Sequence, residues 1–230
     1  MLIELAPEIA PRHAARMRAL ARQGFYAQSP FYRVIKGFMA QTGGKKMIST
    51  LPNLKREFEF KKAPGSAYVS LSSPAGEFGY IGAMAVALEP DGVTGHALHC
   101  TGVASMAHPV TGPGPDGANS QFFLMRGHAP GLDKTFSAWG RVLQGQDVVD
   151  AIADGEPPPK PDLVLRARIA ADLPPAQRPQ IEVMDTRGAA FAAVFAAEAA
   201  KYGPNFNPCL PKIETRTPSA AAATGAPSAN

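Results

Sequence analysis

The side chains with the most overt chemistry in this chain are His96, His99, Cys100 and His108, three imidazoles and a thiol in one Gly-containing stretch. Imidazole nitrogens and thiolates are the donors that zinc takes, and an open fourth position on such an ion activates water. A metal-dependent enzyme is therefore one reading. The spacing corresponds to no paired-ligand pattern, however, and polar residues scattered along a loop account for it more simply, so no metal ligand is assigned. Cys209 stands far downstream of Cys100, in neither a C-x-x-C pair nor a zinc-ligand spacing, and two separate thiols are the expectation. A serine hydrolase is the weakest reading, because the chain has no G-x-S-x-G turn. Arg33 and Gln41 also flank the apolar pair Phe38 and Met39. Taken singly, Arg33 is a surface cation, Gln41 a polar strand residue, and Phe38 and Met39 core residues of an alternating strand.

The elements that must position these groups are mostly short strands. Leu2 to Leu5 alternates and reads as the middle of a strand whose beginning is missing. Pro11 suits the first position of a helix, since its absent N-H would be unpaired there. That helix is expected over Pro11 to Gln23, with Ala14, Met17 and Ala21 inward, Arg12, Arg16 and Gln23 on a solvated face, and Gly24 as a left-handed stop. Phe31 to Ile35 and Phe38 to Thr42 read as strands joined through Lys36-Gly37. Further strands are expected at Tyr68 to Leu71, Phe78 to Ala83, Gly102 to Ala107, Gln121 to Met125, Ser137 to Leu143 and Leu163 to Ala170, with a short helix over Asp147 to Ala153. The Pro174-Pro175 pair ends the pattern. This divides the chain into a core domain over 1–173, an extension over 174–215 carrying an Ala-rich helix from Gly188 to Tyr202, and a tail over 216–230 whose composition predicts disorder. Many short strands with few helices imply a mainly β fold, a closed antiparallel barrel capped by helices.

Composition narrows the function further. The chain has 230 residues, 45% of them hydrophobic, which suffices for one sizeable core. Its net charge of +4 is scattered, with no block of like charges to grip a phosphate backbone, so nucleic acid is not an expected partner. No run of about 18 apolar residues could insert into a bilayer. No leader is recognisable either, which indicates a cytoplasmic location for the chain as written, or a periplasmic one should an N-terminal signal precede Met1.

Three ordered motifs carry a resemblance. Phe31-Tyr32-Arg33-Val34-Ile35-Lys36-Gly37-Phe38-Met39-Ala40-Gln41 is the first. Gly102-Val103-Ala104-Ser105-Met106-Ala107 followed by Asn119-Ser120-Gln121-Phe122-Phe123 is the second, and Leu132-Asp133 leading into Trp139-Gly140-Arg141-Val142 is the third. In this order they resemble the cyclophilin-type peptidyl-prolyl cis/trans isomerases, in particular their bacterial branch. The resemblance implies an eight-stranded antiparallel barrel with capping helices, here lacking its first strand, and a shallow outer groove that binds an extended peptide. It implies an enzyme that accelerates X-Pro rotation in client polypeptides and assists protein folding, as a monomer, without cofactor or metal. Arg33, Gln41 and Phe38 would be catalytic; Met39, Phe123, Leu132 and Phe136 would line the proline pocket; Ala107 and His108 would bind the residues before the proline.

The pattern is not matched throughout. Tyr32 stands where many members have histidine, Phe136 where the pocket often has His or Tyr, and Gly131 where cyclosporin-sensitive members have tryptophan, so weak cyclosporin binding is expected. The loop from Pro109 to Ala118 is long and Gly/Pro-rich, a rim suited to peptide selection. The competing reading in another class is a proline-peptide binding or chaperone-like module with little turnover.

Overall fold

The computed structural model describes residues 1–43 and 48–218. In chain order it begins with β1 (Leu2–Leu5), α1 (Pro11–Arg22), β2 (Ser29–Ile35), β3 (Met39–Thr42), β4 (Phe60–Lys61), β5 (Tyr68–Ser73), β6 (Gly76–Ile81), β7 (Met84–Leu88) and β8 (Thr94–Ala97). It continues with β9 (Val103–Met106), β10 (Phe122–Met125), β11 (Ser137–Gln144), α2 (Gln146–Asp150), β12 (Leu163–Val164), β13 (Glu182–Val183), α3 (Ala189–Tyr202) and β14 (Thr215–Arg216). A seven-stranded antiparallel sheet runs β1-β11-β9-β10-β3-β2-β12, and a five-stranded one runs β4-β8-β7-β6-β5. No helix among the described residues is long and apolar enough to cross a membrane.

Period-two alternation turns the larger sheet into a wall with two apolar faces. On β10, Phe122 and Leu124 join Met17 and Leu20 of α1 together with Trp139 and Val142. Phe123 and Met125, pointing the other way, join Met39, Ala138 and residues of the smaller sheet. Burial on both sides explains why β10 is a continuous apolar run. Among the described residues the expected closed eight-stranded barrel is not seen as one ring: β1 and β12 are the edges of the seven-stranded sheet, and an apolar groove of about 1290 Å³ lies beside them, lined by Ile3, Leu5, Phe122, Trp139 and Val164 among others. The expected strand over Leu163 to Ala170 shrinks to Leu163–Val164, because its antiparallel partner β2 begins at Ser29 and leaves no ladder to continue. The expected Phe78 to Ala83 strand ends at Ile81, where Gly82 (φ +55°) and Ala83 turn the chain into β7.

α1 begins at Pro11 and ends before Gly24 at φ +66°, as the sequence predicts, but its polar face is not what the helical wheel shows. Arg16 is buried rather than solvated. Its Nη1 donates to the Asn119 carbonyl at 2.9 Å and its Nη2 to the Pro52 carbonyl at 2.6 Å, so two distant loops fold over the helix and use its guanidinium as their anchor. The helix has no side-chain cap of its own; Glu57 supplies one from outside. The Glu57 carboxylate accepts the backbone N-H groups of Arg12 (3.2 Å) and His13 (3.0 Å), the His13 Nδ1 (2.6 Å) and the Arg12 Nε (2.9 Å). The first-turn amides are the ones that lack intrahelical partners, and an anion there also meets the positive end of the helix.

The C-terminal extension packs back on the smaller sheet. Phe191 and Phe195 of α3 are buried against Tyr80, at 4.8 Å and 6.2 Å between ring centroids, and the Tyr80 hydroxyl donates to the Pro208 carbonyl at 2.7 Å. This return brings Cys209 beside Cys100, with 5.2 Å between their Cα atoms, and the two form a disulfide. The expectation of separate thiols is overturned; sequence spacing carries no signal for a contact made by a segment folding back across 109 residues. Most of the tail over 216–230 lies outside the described residues.

The Glu57 cap predicts an acid-sensitive term in stability. Burial by itself raises its carboxyl, but the bonds from His13 and Arg12 overcome this and hold it at about 2, against an ordinary 4.5. A depressed folded-state value contributes stability that is whole above about pH 4.5 and is lost as pH falls towards 2. Denaturant midpoints measured from pH 6 to pH 2, a range chosen to span both values, should therefore fall more gently in Glu57→Gln than in the parent. Identical slopes would exclude the cap as a titrating contributor.

Candidate active site

One cross-strand row organises the candidate site. Arg33 on β2 lies opposite Gln41 on β3, Gln41 opposite Phe123 on β10, and Phe123 opposite Ser105 on β9. Directly opposed residues of antiparallel strands project to the same face, so a guanidinium, an amide and an aromatic ring stand side by side across three strands. The turn before β3 is made by Gly37 at φ +67°, a conformation that costs glycine nothing. An added Cβ on Gly127 would sit 2.0 Å from the Gly37 carbonyl oxygen, so the β10 end needs its glycine as well.

Arg33 is 39% exposed, and its Nε donates to Glu156 Oε2 at 3.0 Å. Its Nη1 approaches the buried Met39 sulfur at 3.9 Å. The amide of Gln41 is held by a small network: its Nε2 donates to the Tyr32 hydroxyl and lies 3.4 Å from Gln121 Oε1, while the Tyr32 hydroxyl donates to the same oxygen at 2.6 Å. Burial pushes the Tyr32 phenol up, with Arg33 opposing the shift, so it remains a neutral donor at physiological pH.

Beyond this polar end lies a set of rings. Phe123 meets Phe136 edge to face at 5.3 Å, and Phe136 stacks on His108 at 4.6 Å. His108 is fixed by its Nε2, 3.1 Å from the Thr135 carbonyl, and its Nδ1, 3.0 Å from the Pro109 carbonyl. Ala107 donates its N-H to the Gln121 carbonyl at 2.9 Å, continuing the ladder at the rim. Leu132 sits in a tight turn whose carbonyl accepts the Phe136 N-H at 3.2 Å. Phe38, Ala107, Leu132 and Phe136 are half-buried and pack against the cluster that contains Met39 and Phe123. The structure thus gathers the nine residues picked out in the sequence around one face, with Arg33 at one end and His108 at the other.

Three groups at the site escape a reading of the sequence. Gln121 is visible there only as part of the Asn119-Ser120-Gln121 motif, and Tyr32 only as a departure from pattern, although both orient Gln41. Glu156, 123 residues from Arg33, has no signal at all. The four residues of the metal alternative are dispersed: His96 lies 3.1 Å from Glu89, His99 bonds Asp133 and Ser105, Cys100 is in the disulfide, and His108 faces carbonyls. Among the described residues no cluster of three or more metal-ligating side chains occurs.

Comparison with known proteins bears on the same face. A family model described as cyclophilin type peptidyl-prolyl cis-trans isomerase/CLD matches residues 1–170. A probable peptidyl-prolyl cis-trans isomerase of Brucella suis is 32% identical over 177 residues, 74% of this chain and 77% of that one. The crystal structure of a cyclophilin from Hirschia baltica superposes with a TM-score of 0.79 at 34% identity, covering 93% of this chain and 85% of the other. A Cryptosporidium parvum cyclophilin, solved in the presence of the dipeptide ala-pro, shares the fold at 18% identity with a TM-score of 0.51, over 73% of this chain and 90% of that one. The matched span runs from β1 through the Arg33 row to β12 and so contains every element that shapes the site. With the fold, the family match and the relatives in agreement, the chain belongs to the cyclophilin-type peptidyl-prolyl cis-trans isomerases.

Proposed function

We propose that this chain performs the isomerisation of its family through Arg33, acting on a prolyl imide held against Phe123. The observation that carries this reading is the cross-strand row, which sets the guanidinium, the Gln41 amide and the Phe123 ring on one face. Rotation about an X-Pro bond surrenders amide resonance over a barrier of roughly 18–20 kcal/mol, and no bond is broken. The task is to bind the twisted imide better than either planar isomer. As the bond twists, the prolyl nitrogen regains a lone pair, to which a guanidinium N-H can donate; charge-assisted bonds of this kind are about twice as strong as neutral ones.

The ring of the proline rests among Met39, Phe123, Leu132 and Phe136, with Phe38 closing the side towards the turn. These walls exclude water and so strengthen the cation's effect. Gln41, its amide nitrogen committed to Tyr32, offers its oxygen to a backbone N-H of the peptide, and Ala107 with His108 receives the residues before the proline. The Arg33–Glu156 pair is exposed on both partners, worth about 0–1 kcal/mol, and gives way to substrate readily. In this reading residues 1–173 form the isomerase domain and 174–215 an extension that braces its smaller sheet. The Cys100–Cys209 bridge supports an oxidising compartment in place of the cytosol.

Three outcomes are expected. Arg33→Ala should lower kcat/KM on an Ala-Pro peptide by about 10²–10³-fold, the range seen when a transition-state donor is removed, with the circular dichroism spectrum unchanged; unaltered turnover would sink the mechanism. Cyclosporin should bind weakly, because Gly131 offers the drug no side chain; a Cβ added there would meet nothing within 4 Å, which leaves room for a larger residue. Gly131→Trp should tighten it, and a nanomolar inhibition constant for the parent would contradict this. Protein alkylated directly in cell lysate under denaturing conditions should carry no label, whereas labelling of both cysteines would indicate a reducing compartment.

A further inference from the structure

His99 lies behind the proline pocket. Its side chain is fully buried, and both ring nitrogens are engaged: Nδ1 is 2.9 Å from Asp133 Oδ1 and Nε2 is 2.8 Å from Ser105 Oγ. The same Asp133 oxygen accepts the His99 backbone N-H at 2.8 Å. A carboxylate oxygen accepts, so Nδ1 donates to Asp133, and in that tautomer Nε2 accepts a hydrogen bond from the Ser105 hydroxyl. The hydrogen-bond network fixes the tautomer and with it the orientation of the ring.

That ring touches what the reaction needs. It stacks on Phe123 with centroids 6.3 Å apart and planes 23° from parallel, and meets Phe136 at 6.5 Å and 74°. Ser105, its partner at Nε2, is the residue opposite Phe123 in the cross-strand row. Asp133, its partner at Nδ1, follows Leu132 directly and precedes Phe136 by three positions. The His99 carbonyl also accepts the Ala129 N-H at 3.0 Å, at the other end of the same turn. One residue thereby fastens the 129–136 turn, which carries Leu132 and Phe136, to β9, and its ring rests on Phe123 of the adjoining β10. The next residue is Cys100, whose disulfide ties this point to the extension.

We propose that His99 is a positioning residue for isomerisation: held by Asp133 and Ser105, it sets the distance and tilt of Phe123 relative to Leu132 and Phe136. This rests on the reading of Phe123 as a pocket wall. A misplacement of about 1 Å at a reacting group can cost 10²-fold in rate, so slack in this support reaches the imide without any contact to it.

A double-mutant cycle tests the idea. His99→Asn keeps a donor for Asp133 but removes the ring, and Asp133→Asn keeps the shape but weakens the hold. In the parent background each should lower kcat/KM by about tenfold, an energy typical of coupled contacts; in the Phe123→Ala background each should lower it less than about twofold. Equal losses in both backgrounds, or no loss in the parent, would overturn the proposal. Should His99→Asn fail to fold, the Asp133→Asn arm decides alone. If Phe123→Ala by itself leaves turnover unchanged, the pocket reading has failed, a result distinguishable from failure of the His99 role.

Discussion

Side chains that oppose one another in an antiparallel ladder share a face, and the register of β2, β3, β10 and β9 is the constraint on which the proposed chemistry depends. A slip of one residue in any of these pairings would send its strand's site side chains to the face that packs on α1. The register is protected on both sides. Phe122 and Leu124 pack in the cluster on the α1 face, Phe123 and Met125 in the one on the other, and a slip would exchange the two sets between cores packed around different side chains. Because fully burying each such side chain is worth about 1.5–3 kcal/mol, a slip that spoils the packing of several of them puts at risk an energy comparable to the roughly 5–15 kcal/mol by which a domain is stable.

The polar interactions divide by how far they are withdrawn from water. The Arg33–Glu156 pair is exposed and weak, as the proposed turn of this cation to a substrate requires. Glu57 and Arg16, by contrast, are shielded and satisfied by several partners each, and they hold the stretch from Pro52 to Glu57 against α1. His99 with Asp133 belongs to this second class, although it lies directly beneath the pocket. The structure thus keeps a displaceable cation above a rigid apolar floor.

Much of this is legible in the chain itself, and the reason is locality. Arg33, Phe38, Met39 and Gln41 sit in one hairpin, so a contiguous motif fixes their geometry once the turn at Gly37 is recognised. The Leu132–Phe136 turn is equally local. What cannot be read depends on contacts between remote segments. Arg16 looks solvated on a helical wheel until the carbonyls of Pro52 and Asn119 arrive, and Cys100 and Cys209 look separate until the extension folds back. Leu163 to Ala170 has the alternation of a strand, but pairing needs a neighbour, and beyond Ser29 there is none to supply it.

Catalysis here requires that the Arg33 row lower the barrier to imide rotation. Two-dimensional exchange NMR on an Ala-Pro peptide, with the protein at a small fraction of the peptide concentration, tests this most directly. Cross-peaks between cis and trans resonances should emerge at mixing times far shorter than the tens of seconds of spontaneous exchange. A peptide that binds, as seen by shifted resonances on the Phe123 face, yet exchanges no faster than it does alone, would contradict a catalytic role for the row.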